Sequence, residues 1–208
     1  MPDDPPAWIA LPAIDLCLGF VNTLGWRGRP HPSESLNDFK DLKAWLRKSA
    51  GMSEALPPSA AWKLKSERGA AVLSEALDMR ESLFALFQAL AAGSPTPEAH
   101  FARLQQTLAA APERRRIIAA AGGFAWQIGK MQFSMPCLLA PVLWSAADLL
   151  VSDARNRVRL CANPECLWLF LDASRNATRL WCDMAACGNR AKARRHYLRS
   201  KEADPLSS

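Results

Sequence analysis

The chain has 208 residues and half of them are hydrophobic, so it can bury a core, and general disorder is excluded. Its formal net charge is +6, and no apolar stretch reaches the length of a membrane span, since the longest candidate, residues 135–151, contains Ser145 and Asp148. The first twelve residues are acidic and rich in proline, which is unlike a secretory signal. We therefore expect a cytoplasmic protein in a reducing environment.

The first part of the chain has the apolar spacing of helices. Ser35 suits the N-cap of a helix over residues 36–49, and Gly51 would end it. A second helix is expected over residues 60–67. The strongest helical pattern covers residues 70–92, where the apolar positions form one continuous stripe.

Two further helices are predicted before the C-terminal quarter. Thr96 as N-cap and Pro97 in the first turn predict a helix that runs to about residue 111. A helix over residues 136–152 is apolar nearly all round, so we expect it at the centre of a helical bundle. Pro141 would either kink or restart this helix.

The segment between the helix that ends near residue 111 and the helix that begins at residue 136 lacks the apolar spacing of a helix. Two short runs, residues 116–118 and 124–126, flank Gly122-Gly123, and this pattern predicts a β-hairpin. The predicted fold class is therefore α+β, with a mainly helical N-terminal domain that carries a small β-hairpin. We place the domain boundary where this domain ends, so that residues 1–152 form the body and residues 153–208 form a small C-terminal module.

Four cysteines in the C-terminal module have the spacing of a structural zinc site. Cys161 and Cys166 are separated by four residues, as are Cys182 and Cys187, with fifteen residues between the pairs. Zinc favours four soft ligands in a tetrahedron, and four thiolates leave no position for a catalytic water. The pattern predicts one structural Zn²⁺ per chain. The alternative is two disulfides, which a reducing compartment disfavours, or four unrelated thiols.

The residues around the cysteines predict a small zinc-finger fold. Alternation over residues 157–160 and the apolar run at residues 167–171 predict a hairpin with a turn at residues 163–165. After the second cysteine pair, Asn189 suits the N-cap of a helix over residues 190–199. A cysteine pair on a hairpin and another at a helix start together indicate a treble-clef-like site.

Residues 157–201 resemble the CGNR-type zinc finger, which is named for the run found here at residues 187–190. The match includes all four cysteines and the Ser174-Arg175-Asn176 turn. In that family the finger commonly follows an N-terminal domain called ABATE, and residues 16–23 (LCLGFVNT) are similar to the opening motif of that domain. The family often has an acidic residue where Gly19 stands, so no carboxylate role is assigned there. The resemblance implies a stress-induced transcription regulator of bacteria.

Positive charge is concentrated in the C-terminal module. Residues 155–208 contain 11 Lys/Arg and 5 Asp/Glu, whereas the first 154 residues are formally neutral. Zinc with four thiolates contributes about −2, so the module keeps a charge near +4. A neutral body joined to a basic module predicts a nucleic-acid contact surface. A tail that is basic only for solubility is the alternative.

The predicted terminal helix carries the residues that we expect to contact duplex DNA. Three of its cations share one narrow stripe: Lys192, Arg195 and Arg199. We expect Ala193 and Tyr197 to pack toward the finger core, so that the stripe faces outward and Arg195, in its middle, reads a base edge. Arg175 and Arg179, between the two cysteine pairs, are predicted to contact phosphates.

Two functional hypotheses follow. In the first, the chain is a zinc-dependent DNA-binding transcription regulator, whose helical body forms a homodimer or binds a small-molecule effector between its helices. In the second, the finger is a rigid docking platform for a protein partner. We do not expect an enzyme, because His31, His100 and His196 are far apart and no nucleophile motif or phosphate-binding loop accompanies them.

Overall fold

The computed structural model describes residues 8–10, 13–50, 66–114, 116–120, 123–127 and 133–203. Over these ranges the protein is α+β, as predicted. The helices are α1 (Leu16–Val21), α2 (Phe39–Ser49), α3 (Ser66–Ala91), α4 (Glu98–Ala110), α5 (Met135–Leu138), α6 (Ala140–Val151) and α7 (Asn189–Ala203). The strands are β1 (Trp8–Ala10), β2 (Leu24–Gly25), β3 (Ser33–Glu34), β4 (Arg116–Ala120), β5 (Gly123–Gln127), β6 (Val158–Leu160) and β7 (Leu169–Leu171).

Helix α1 packs against both α3 and α6, and all three helices contribute to the main core. Helix α6 is buried on almost every side, as its sequence predicts. Its one buried hydroxyl is satisfied, because Ser145 Oγ accepts a hydrogen bond from the Cys17 amide at 3.0 Å and donates one to the Ile14 carbonyl at 3.0 Å. Among the described helices, none is both long and apolar enough to cross a bilayer.

Helix α2 begins three residues later than predicted. Its N-cap is Asp38, whose carboxylate accepts hydrogen bonds from two first-turn amides at 2.7 and 3.0 Å. Ser35 is held in the preceding loop instead, because its amide donates to the Glu34 carboxylate and to the Thr23 carbonyl. Gly51, which was predicted to end α2, and residues 60–65 of the next predicted helix lie outside the described residues, and α3 begins at Ser66.

Two prolines mark helix starts. Helix α4 begins at Glu98 with Pro97 as its N-cap, so the prediction that Thr96 caps this helix is wrong. The carbonyl of Pro97 accepts the first hydrogen bonds of the helix, which moves the start one residue onward. Pro141 restarts the last body helix, since α5 ends before Leu139 and α6 follows it. A proline in a first turn costs no hydrogen bond there.

The predicted hairpin is present and forms part of a three-stranded antiparallel sheet. Strands β4 and β5 pair with Ile117 opposite Trp126, and β1 pairs with the other edge of β5. Strand β1 was not predicted, because three residues in a proline-rich segment give too short a signal for a strand.

The zinc-finger hairpin packs into the core of the body. A 3₁₀ turn at Asp153–Arg157 follows α6 and leads directly into β6. Val158 and Leu169 are 1% and 0% exposed and belong to the same apolar cluster as α1, α3 and α6. The predicted domain boundary falls at the start of this turn, and it stays a prediction. The apolar core nevertheless continues across it.

Candidate metal centre and the adjoining basic helix

Four cysteine sulfurs converge between the β6–β7 hairpin and the start of α7. The Sγ atoms of Cys161, Cys166, Cys182 and Cys187 all lie within 4.8 Å of one another. The Cys166–Cys182 and Cys182–Cys187 sulfur distances are 3.7 and 3.8 Å. A tetrahedron with Zn–S bonds of about 2.3 Å has sulfur–sulfur edges of about 3.8 Å, so the spacing fits zinc. The four cysteines are therefore positioned to bind one metal ion, in agreement with one structural zinc.

The first cysteine pair is shaped by a tight turn that we call the first knuckle, residues 161–166. Asn163 organises it, because its carbonyl accepts the Cys166 amide at 2.9 Å and its Oδ1 accepts the Glu165 amide at 3.1 Å. The Asn163 side-chain amide also donates to Cys187 Sγ at 3.6 Å. The predicted turn at residues 163–165 thus both shapes the knuckle and supports a sulfur of the other pair.

The second cysteine pair ends in a single π-helical turn, Met184–Gly188, that continues into α7. The N-cap is Asp183, whose carboxylate accepts the Ala186 amide at 2.6 Å. The prediction that Asn189 caps the helix is therefore wrong, since Asn189 already has helical backbone angles. At Gly188 a Cβ would lie 3.1 Å from the end of the Met184 side chain, so a larger residue there would have to displace that flexible side chain.

Thiols packed this closely cannot all ionise easily. Interaction with Cys182 lowers the pKa of Cys166 to about 5, whereas interaction with Cys166 raises the pKa of Cys182 well above its ordinary value. Burial raises the pKa of Cys187 to about 11. Four adjacent thiolates need a cation to offset their repulsion, and a divalent ion bound by all four supplies that charge.

The loop between the cysteine pairs is fixed by Asp172. This carboxylate is fully buried and accepts hydrogen bonds from the amides of Ser174 and Arg179, each at 2.9 Å. Hydrogen bonds from Ser174 and Arg179, with the nearby charge of Arg159, hold the pKa of Asp172 below its ordinary value. Asp172 therefore acts as an ionised anchor for the loop.

Arg179 stabilises the finger from inside and does not project from it. Its Nε donates to the Trp181 carbonyl at 2.7 Å, its Nη2 donates to the Cys182 carbonyl, and its guanidinium lies 4.8 Å from the Phe170 ring centre. These contacts leave Arg179 poorly placed for the predicted phosphate contact. Arg175 of the same loop is exposed.

Helix α7 faces the finger differently from the prediction. Ala193 and Tyr197 are exposed, so the prediction that they pack toward the finger core is wrong. The buried residues are instead Cys187 and Gly188, just before the helix, and Ala191 in its first turn is half-buried.

The cations of the predicted stripe on α7 are exposed to solvent wherever the structure describes their side chains. Lys192 and Arg199 are exposed, and so is Arg194 on a neighbouring face. The backbone of Arg195 lies in α7 between them, but its side chain lies outside the described residues.

Sequence reasoning missed a segment of the N-terminal part that contacts the finger. This docking loop, residues 24–30, donates hydrogen bonds from the amides of Arg27 and Gly28 to the carbonyls of Cys166 and Glu165, at 3.3 and 3.1 Å. Arg29 also pairs with the Glu165 carboxylate at 2.7 Å. The contacts join residues more than 130 positions apart in the chain, so local sequence patterns give no signal for them.

Comparisons with known proteins agree with this architecture. The ABATE family model, described as "Putative stress-induced transcription regulator", matches residues 15–153. The CGNR zinc finger model matches residues 157–200. A search of curated proteins found no match. The chain thus belongs to the ABATE family and carries a CGNR zinc finger, which confirms the resemblance drawn from the sequence.

Proposed function

We propose that this protein is a zinc-dependent, DNA-binding transcription regulator in which α7 contacts duplex DNA. The observation that carries the proposal is the exposure of Lys192, Arg194 and Arg199 on a helix whose first turn is built around the cysteine cluster. A metal ion there would hold the start of the helix, so its cations would meet DNA from a rigid element.

The charge of α7 supports this reading. Residues 184–201 contain six Lys/Arg and no Asp/Glu. Phosphate contacts supply most non-specific affinity for DNA, and Lys and Arg make most of them. A run of cations without intervening carboxylates is therefore suited to a phosphate backbone.

A cleft beside α7 adds a second supporting observation. It has a volume of about 490 Å³ and lies between the first knuckle and the helix, with Trp181, Arg190 and Arg194 among its lining residues. The carboxylate of Glu165 also lines the cleft, but Arg29 neutralises it at 2.7 Å. The cleft therefore extends the cationic surface of α7 toward the zinc site.

We accordingly assign phosphate contacts to Lys192, Arg194 and Arg199, with Arg175 as an outlying contact. Arg195 keeps its proposed role as base reader, because it lies between Lys192 and Arg199 on the helix. Arg179 leaves the set because two of its three guanidinium nitrogens donate to carbonyls within the finger. A homodimer, an effector bound by the body, a cytoplasmic location and the absence of enzymatic activity remain part of the proposal.

Charge reversal on α7 tests the proposal. The zinc-loaded wild type and the triple variant Lys192→Glu, Arg195→Glu, Arg199→Glu are compared for binding to a duplex library by fluorescence anisotropy over a salt series. We expect the variant to lose most of its affinity and the slope of log K against log salt to fall by about two, because Lys192 and Arg199 are the phosphate contacts removed. The matched control reverses three exposed cations of α2, Lys40, Arg47 and Lys48, which changes the net charge equally.

The control separates local contact from net charge. If both triple variants lose the same affinity, DNA responds only to overall charge and the proposal fails. Unchanged affinity in the α7 variant, with zinc content confirmed, would also refute it. Equal binding to heparin and to every duplex would favour the docking-platform hypothesis instead.

A further inference from the structure

The ABATE opening motif, residues 16–23, supplies an unusual partner for the finger. The side-chain amide of Asn22 makes two hydrogen bonds to the backbone of Leu169 in β7. Its Nδ2 donates to the Leu169 carbonyl at 2.7 Å, and its Oδ1 accepts the Leu169 amide at 3.1 Å. One amide side chain thus satisfies the same groups that a neighbouring strand would. The motif contacts the finger hairpin directly.

The docking loop that follows the motif fits the first knuckle closely. Besides the two backbone hydrogen bonds, the indole of Trp168 donates to the Leu24 carbonyl at 3.3 Å. There is no space for a side chain at Gly28, where a Cβ would lie 1.8 Å from the Pro164 carbonyl oxygen. The loop and the knuckle therefore approach each other at backbone distance.

Trp26 extends this contact to the DNA-facing helix. Two guanidinium groups stack on its ring: that of Arg29 lies 4.1 Å from the ring centre and that of Arg190 lies 4.4 Å from it. Arg190 lies in the first turn of α7, three residues after Cys187. Guanidinium groups favour the face of an indole ring, so this stacking joins α7 directly to the N-terminal part of the chain.

The docking loop is itself fixed to the body. The Arg27 side chain is 8% exposed and pairs with Glu81 of α3 at 2.6 Å. Its guanidinium also lies 4.1 Å from the Phe84 ring centre and donates to the Val21 carbonyl at 3.1 Å. Glu81 in turn bonds Arg80, which is 4% exposed. A displacement of α3 would therefore be transmitted to Trp26.

We propose that Trp26 is a positioning residue for α7, through which the ABATE body sets the orientation of the helix that contacts DNA. This inference rests on the proposed function, but its physical core, the restraint of α7 by Trp26, does not. The cysteine cluster holds the chain at Cys187, just before α7 begins, and a helix attached at one point can still turn about it. Stacking of Arg190 on Trp26 adds a second point of attachment, within the first turn of the helix itself.

The test compares Trp26→Ala with Trp26→Phe in the full zinc-loaded chain. Hydrogen–deuterium exchange of the α7 amides is the first measurement, because it needs no DNA. We expect exchange there to be about tenfold faster in Trp26→Ala and close to wild type in Trp26→Phe, which keeps an aromatic face. Zinc stoichiometry should stay at one per chain in both variants.

A double-mutant cycle makes the exchange measurement specific. Arg190→Ala should accelerate α7 exchange as Trp26→Ala does, and the double variant should show little further change. If the two effects multiply, or if α7 exchange in Trp26→Ala equals that of the wild type, Trp26 does not restrain α7 and the inference is overturned.

DNA binding is the second measurement. Trp26→Ala should weaken binding about tenfold with an unchanged salt slope, because every phosphate-contacting cation remains. A lower slope would mean that Trp26 supports the contacts themselves, which contradicts a purely positioning role. If the wild type binds no DNA, the proposed function fails, while the exchange data still decide whether Trp26 positions α7.

Discussion

Replacement of Gly28 by alanine should separate the docking loop from the zinc finger. The added Cβ would lie 1.8 Å from the Pro164 carbonyl oxygen, 2.9 Å from the Pro164 carbonyl carbon and 3.0 Å from the Glu165 Cα. All three are backbone atoms, so no side-chain rotation relieves the overlap. The loop or the first knuckle must move by more than 1 Å, as contacts below about 3 Å are strongly repulsive.

Such a movement breaks the contacts that depend on close approach. The backbone hydrogen bonds from Arg27 and Gly28 to the knuckle, at 3.3 and 3.1 Å, contribute about 1 kcal/mol each. The exposed Arg29–Glu165 pair adds a few tenths of a kcal/mol at most. The stacking on Trp26 contributes about 1 kcal/mol. Together these contacts stabilise the docked finger by on the order of 3 kcal/mol.

Urea denaturation of the zinc-loaded protein and competition for zinc with a chelator measure this loss. We expect the free energy of unfolding to fall by about 3 kcal/mol, or zinc affinity to fall by up to about a hundredfold if the knuckle moves and the body stays. Gly25→Ala is the matched control, because its Cβ would meet its nearest neighbour at 3.6 Å, an ordinary contact. Values for Gly28→Ala within 0.5 kcal/mol of the control would refute the reasoning.

Three further predictions address the metal, the core and pH. Cys182→Ser should abolish binding of the single zinc ion, measured by elemental analysis, and should lower the Tm of the whole chain. An unchanged Tm for the body would show that the finger unfolds alone. A fragment of residues 1–152 should aggregate, or should show no cooperative unfolding by circular dichroism. The reason is that it lacks Val158 and Leu169, which are 1% and 0% exposed in the shared core. A sharp thermal transition of the fragment would contradict this prediction. Burial acts to raise the pKa of Glu34, but hydrogen bonds and charge from Arg80 outweigh it and lower that pKa below 4.5. The pair therefore stabilises the fold above pH 4.5 and loses this effect as the pH falls. In urea denaturation, the wild type should have a higher free energy of unfolding than Glu34→Gln, and this difference should become smaller below pH 4.5. A difference in the free energy of unfolding that stays constant with pH would show that the ion pair does not cause it.

Local chemistry explains the parts of the fold that the sequence predicted. The helical stripes, the Gly-Gly hairpin and the apolar helix after residue 135 each depend on residues within a few turns of one another. Helix starts were less predictable because several residues compete to cap. Asp38 displaced Ser35, and Asp183 displaced Asn189, since a carboxylate that reaches free amides makes a stronger cap contact.

The candidate site also has features that the sequence predicted and features that it did not. The spacing of Cys161, Cys166, Cys182 and Cys187 by itself identified the metal ligands, because zinc restricts both the residue type and the length of the two turns. The cationic composition of α7 is likewise a property of the sequence. Which residues of α7 face the finger was only partly predictable, since that depends on how the helix packs against the rest of the chain.

Only the tertiary structure revealed how body and finger are joined. Trp26 and Gly28 gave no signal in the sequence, and the motif that contains Asn22 gave no indication of its contact, because each acts on residues more than 130 positions away. A tryptophan is ordinarily a core residue and a glycine ordinarily a turn residue, and either role would fit the local pattern. Their actual roles depend on the approach of two backbones, which the folding of α3 and the zinc-finger hairpin into one apolar core brings about.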